Sequence, residues 1–236
     1  MRDTYHEQLD DILAELERMT RTVSTAVRRS TTALLQADIR QAEEVIASDV
    51  ELDASGEQVE DKVFDLMALQ APVANELRML VAALRMVADL ERMGDLAAHV
   101  SKIARLRYPH PAIPAELHGV IEEMGSVAGK MVDAAGDVIR SRDVEAAARL
   151  EATDDEMDKL RSSQFRLMMD DTWPHGVEVA VDIALLGRYY ERIADHAVSM
   201  ARRVVYLVTG ELPVAVGGTA AGSGAGASAP TVNARD

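Results

Sequence analysis

From Leu9 the apolar residues recur three or four positions apart, as Leu9, Ile12, Leu13, Leu16, Met19, Val23 and Ala26. That is the period of one buried face of an α-helix, and it predicts a helix running to about Leu35. Asp38 then stands as an N-cap, with Gln41 three residues on as in a capping box, and a second helix is expected from Ile39 to about Leu69. Pro72 marks a break or a first-turn proline, after which a third helix runs to about Leu106. The pattern restarts beyond a proline-rich stretch. Helices are predicted from Ala115 to Arg140, from the Asp143 cap to about Met169, and from the Trp173–Pro174 turn to about Val208, where Gly210 is a fitting stop. Trp173 is expected to anchor its turn against the bundle.

The second half repeats the first. Ala37–Asp53 lines up with Arg142–Asp158 at an offset of 105, and the third helix lines up with the sixth at an offset of 100. The difference is absorbed near the proline turns. The chain therefore reads as all-α, two tandem and pseudo-symmetric three-helix bundles. The expected boundaries are 1–107 for the first bundle, 108–114 for a linker, 115–211 for the second bundle, and 212–236 for a disordered tail of small and polar residues.

Four acidic pairs also repeat. Glu91 and Asp95 lie one helical turn apart in the third helix, and Glu191 and Asp195 do so in the sixth. Asp49 and Asp53 in the second helix match Asp154 and Asp158 in the fifth. Glu91 and Glu191 sit in stripes of small or apolar residues, so both are expected to be semi-buried. Like charges at this spacing repel. The repulsion is removed by a hard cation between the oxygens, or by an arginine such as Arg92, Arg192 or Arg188. If the second helix lies antiparallel beside the third, each half brings four carboxylates together. Such an all-oxygen cluster suits Mg²⁺, Mn²⁺, Ca²⁺ or iron.

Composition narrows the function classes. Forty acidic residues against 25 basic ones give a formal net charge of −15, which disfavours nucleic acid and anionic membrane surfaces. There is no cysteine, so thiolate sites and disulfides are excluded. Aromatic residues are 3 %, which leaves a core of Ala, Val, Leu, Ile and Met. The charged, amphipathic N-terminus lacks the apolar centre of a signal peptide, and a cytoplasmic location without membrane insertion is expected. No phosphate-binding glycine loop and no nucleophile–base arrangement is seen. None of the six histidines completes the Glu-x-x-His motif of di-iron bundles. A non-enzymatic protein is expected; the alternative is a metal-dependent enzyme or a metal-storage bundle.

The segment LQAPVANELRMLVAALRMVADLERMGDLAAHV, Leu69–Val100, resembles the PhoU family of accessory regulators of phosphate-specific transport, in its actinobacterial form. ERIADHA, Glu191–Ala197, is the second copy of its acidic motif. The resemblance implies two similar three-helix bundles, and metal sites at Glu91, Asp95, Asp49 and Asp53 in one half and Glu191, Asp195, Asp154 and Asp158 in the other. The ions implied are iron or divalent metals (Fe, Mn, Mg or Zn). It also implies a homodimer that represses phosphate uptake and the phosphate-starvation response as an adaptor. The implied partners are the ATPase subunit of the phosphate ABC transporter and a phosphate-sensing histidine kinase. The copies depart from the family's Gly-Asp-His: the first reads Gly94-Asp95-Leu96 and the second Ala194-Asp195-His196.

Overall fold

A computed structural model describes residues 2–170 and 172–211. The tail expected at 212–236 lies outside the described residues. Among the described residues six α-helices carry the fold: α1 (Arg2–Gln36), α2 (Ile39–Gln70), α3 (Asn75–Arg107), α4 (His118–Ser141), α5 (Val144–Met168) and α6 (Gly176–Thr209), with a 3-10 turn at Ala115–Leu117 before α4. No described helix is long and apolar enough to cross a membrane.

Both halves start their second helix in the same way. Ala37 and Arg142 adopt the left-handed conformation, at φ 52° and 55°. Each is followed by an aspartate cap. The Asp38 carboxylate accepts from Gln41 N, and the Asp143 carboxylate accepts from Glu145 N and Ala146 N. These bonds satisfy amides that the first helical turn leaves free. The other connections differ more. Four residues join α2 to α3, whereas α5 ends earlier and a longer turn precedes α6. In that turn Trp173 packs against the core and its Nε1 donates to Gly176 O at 3.0 Å. Gly210, in the left-handed region at φ 77°, ends α6.

The four helices α1, α3, α6 and α4 pack in a ring, α1 on α4 and α3 on α6. α2 flanks this ring against α3 and α1, and α5 flanks it on the other side against α6 and α4. The two halves share one continuous core, which includes Leu16, Met19, Leu90, Met93, Ile121, Met124, Ile193 and Tyr190. Small residues allow α1 and α4 to approach closely. A Cβ added at Gly125 would collide with Thr31, and one at Gly136 with Thr20. Thr31 in turn shares a 2.8 Å hydrogen bond with the hydroxyl of the fully buried Tyr190. The helix pairs α2/α3 and α5/α6 thus stand on opposite flanks, and these are the pairs that carry the acidic motifs.

Candidate functional site: two acidic constellations

On the first flank, Asp49 and Glu91 are half-buried, Asp53 is exposed, and Asp95 keeps a side chain 47 % open to solvent. Burial, then the charges of Asp95 and Asp53, push the Asp49 carboxyl above the ordinary carboxylate range, with Lys102 opposing. Burial, then Asp53, Glu60, Glu57 and Asp95, push Glu91 the same way. Asp49 on α2 thus feels Asp95 of α3, and Glu91 on α3 feels Asp53 of α2, across the α2/α3 seam. Two glycines lie under this seam, Gly56 beneath Glu91 and Gly94 beneath Leu52 and Asp49. A Cβ at Gly94 would lie 2.9 Å from Asp49 Oδ1, and a Cβ at Gly56 would fall on Glu91 Oε1. Among the described residues the ion pair made by this set of four is Arg92 with Asp95, at 3.2 Å.

On the second flank the same four positions behave differently. Burial, then Asp195 and Asp158, push Asp154 up to about 6, against Arg202. Asp195 is exposed, yet the protein around it still raises its pKa, first by burial and then through Glu191. Arg192, Arg188 and His196 oppose that rise. Glu191 has a side chain only 13 % exposed, and both of its oxygens are taken. Oε1 accepts from Arg161 Nη1 at 2.7 Å, and Oε2 from Arg188 Nη1 at 2.7 Å.

As hosts for a cation the two constellations are unequal. The first offers oxygen donors and a surplus of negative charge, a donor set of the chemistry that suits a hard divalent ion. In their present rotamers no three acidic or histidine side chains among the described residues converge in a ligating arrangement. The second constellation does not fit in the same way, because arginines already hold its most buried carboxylate.

Sequence reasoning named Arg188 as a possible partner for Glu191 but missed Arg161. The signal was available: at the offset of 105, Arg161 stands where the first half has Gly56. It also missed Asp89, a buried carboxylate of α3 that accepts from His196 Nδ1 at 2.9 Å and from Arg203 at 3.0 Å, both on α6. His196 is therefore committed to the seam between the halves. His99 stacks on Tyr189 across the same seam, and burial lowers its pKa. Arg107 closes the far end by pairing with Asp182 at 2.5 Å and with Glu178.

Comparison with known proteins places this architecture. Residues 16–104 and 121–204 each match the family model of the PhoU domain. The chain is 48 % identical over 213 residues to the phosphate-specific transport system accessory protein PhoU homolog 2 of Mycobacterium tuberculosis, covering 90 % of this chain and all of that protein. It is 47 % identical to PhoU homolog 1 of Mycobacterium leprae, covering 90 % and 96 %. The crystal structure of PhoU from Pseudomonas aeruginosa superposes with a TM-score of 0.78 at 27 % identity, over 88 % of this chain and all of that one. The regulatory protein PhoU from Streptococcus pneumoniae gives 0.79 at 22 % identity, over 88 % and 98 %, which speaks for the fold. These named relatives are accessory and regulatory proteins rather than enzymes. With a repeated domain match, relatives along 90 % of the chain and a shared fold, the chain belongs to the PhoU family.

Proposed function

We propose that this chain is a negative regulator of phosphate uptake and of the phosphate-starvation response. In this reading it acts as an adaptor between the phosphate ABC transporter and its sensor histidine kinase, touching the transporter's ATPase subunit on one side and the kinase on the other. The observation that carries the reading is the match to accessory proteins of phosphate-specific transport along 90 % of the chain. The architecture supports it. Long helices around one core make a rigid body, and apolar side chains stay exposed at equivalent places, Leu77 and Val81 on α3, Val177 and Val181 on α6. Faces of that kind suit protein partners. The setting is the cytoplasmic side of the membrane, and the working form is a homodimer.

Metal binding is part of the proposal. Asp49, Asp53, Glu91 and Asp95 would hold a hard divalent ion or iron at the α2/α3 seam. A bound ion would cancel the repulsion among these carboxylates and so fix the two helices relative to each other. Of the remaining motif positions, Asp154, Asp158, Glu191 and Asp195 belong to the equivalent seam, where arginines compete with any ion.

The reading is tested by co-purification of the full chain with the transporter's ATPase subunit, before and after treatment with EDTA. Binding that weakens in EDTA and returns with Mn²⁺ supports the metal-held adaptor. Binding unaffected by EDTA removes the metal from the account, and no binding at all to the ATPase subunit removes that partner.

A further inference from the structure

The repeat makes a position-by-position comparison of the two seams possible, and the comparison is not symmetric. Glu191 corresponds to Glu91, Asp195 to Asp95, Asp154 to Asp49 and Asp158 to Asp53. The surroundings do not correspond. Arg161 stands opposite Gly56, and Arg188 opposite Ala88. Phe165, which lies under the Arg161 guanidinium at 5.4 Å, stands opposite Glu60. Ser162 stands opposite Glu57.

These four exchanges make the second seam more positive, while Asp155 in place of Val50 runs the other way beside Asp154. In the first half Glu57 and Glu60 add to the negative field on Glu91, and the nearby cations are Arg92 and Lys102. In the second half those two glutamates are absent; Arg161 and Arg188 bond Glu191, Arg192 and Arg188 oppose the rise of Asp195, and Arg202 opposes that of Asp154, where Asp155 adds a negative charge. The geometry agrees with the charge. Glu91 Oε1 occupies the space in which a side chain at Gly56 would begin. At the equivalent place a side chain is present, and its guanidinium is bonded to Glu191 Oε1. The packing of Arg161 on Phe165 fixes that guanidinium in place.

We infer that Arg161, seconded by Arg188, is a built-in cation that takes the place of a metal ion at the second seam, so that metal binding in this chain belongs to the first seam alone. The inference rests on the metal-holding reading of Asp49, Asp53, Glu91 and Asp95 for its second clause, and on the ion pairs of Glu191 for its first. It gives the repeat a division of labour. The α5/α6 seam is held closed at all metal concentrations, while the α2/α3 seam responds to the ion.

The test is Mn²⁺ titration of the EDTA-stripped full chain, followed by calorimetry and by electron paramagnetic resonance of the free ion. Wild type is expected to bind at the first seam. Asp49→Asn/Glu91→Gln should abolish that binding, and Asp154→Asn/Asp158→Asn should leave it unchanged. Arg161→Gly/Arg188→Ala, which copies Gly56 and Ala88 into the second half, should gain a further Mn²⁺ equivalent that is lost again when Asp154→Asn/Asp158→Asn is added. Arg161→Gln/Arg188→Gln, which keeps helix-favouring side chains, provides the same reading if the first variant unfolds, with far-UV circular dichroism reporting the fold. Loss of wild-type Mn²⁺ in Asp154→Asn/Asp158→Asn, or no gain in either arginine variant, overturns the inference. If wild type binds no Mn²⁺ while the arginine variants do, the metal reading of the first seam fails and the role of Arg161 stands.

Discussion

Neutralising the equivalent glutamates Glu91 and Glu191 should change stability in opposite directions. Glu191 accepts two charge-assisted hydrogen bonds at 2.7 Å, and its side chain is 13 % exposed. In a buried setting each such bond contributes about 1.5–3 kcal/mol. Here Arg161 and Arg188 are 34 % and 47 % exposed, so solvent screens the pairs, and the expected loss for Glu191→Gln is about 1–2 kcal/mol. For a chain of this size, that is a fall in Tm of about 2–8 °C. Glu91 has no such compensation and is opposed by Asp95 one turn away. Relieving an i,i+4 like-charge pair gains about 0.2–0.5 kcal/mol, a rise of about 0.4–2 °C for Glu91→Gln. The assay is thermal unfolding of the full chain at pH 7.5 in EDTA and low salt. In 0.5 M NaCl both shifts should shrink, because exposed charges are screened. If both substitutions lower Tm alike, or both raise it, the proposed asymmetry between the seams is refuted.

Other expectations follow from single sites. Ala37→Gly and Arg142→Gly each relieve a left-handed non-glycine residue and should stabilise by about 0.5–1 kcal/mol in chemical denaturation, after the entropy lost to glycine in the unfolded chain. Asp154 is pushed up to about 6 from 3.8, so between those pH values the folded chain keeps a proton that the unfolded chain has released. Stability therefore falls as pH rises through that window and stays lower above it. In EDTA, Asp154→Asn should raise stability by about 1 kcal/mol at pH 7.5 and by almost nothing at pH 3.5, as read by urea midpoints at the two pH values. Tyr190→Phe removes the hydroxyl bonded to Thr31 and should cost about 1 kcal/mol by denaturant titration. Gly125→Ala, which drives a methyl into the buried Thr31, should cost about 1–3 kcal/mol in the same assay.

The helices and their register were legible because their signals are local. Asp38, Asp143 and Gly210 act within one turn of chain, and each marks a helix end that the structure confirms to within two residues. The acidic pairs were legible because the spacing of residues on one helix face is fixed by the helix itself, whereas among the described residues no three of these side chains converge in a ligating arrangement. What the sequence left hidden depends on which helices face each other. Asp89 looks like any surface carboxylate of α3 until α6 is laid beside it, bringing His196 and Arg203. Arg107 finds Asp182 and Glu178 for the same reason. The shared core is a further case: amphipathic stripes show that each helix buries a face, but not that α1 buries part of its face on α4 of the other half. Arg161 lies between these classes. Its place opposite Gly56 is written in the repeat, but its bond to Glu191 appears only when α5 packs on α6.

The central claim, that this PhoU-family chain restrains phosphate uptake, is tested most directly by the expression of the phosphate-uptake genes in high phosphate, in a strain lacking the chain and every paralogue of it. The account predicts that these genes are switched on by the deletion and silenced again by the wild-type chain. Genes that stay silent in the deletion strain would contradict it.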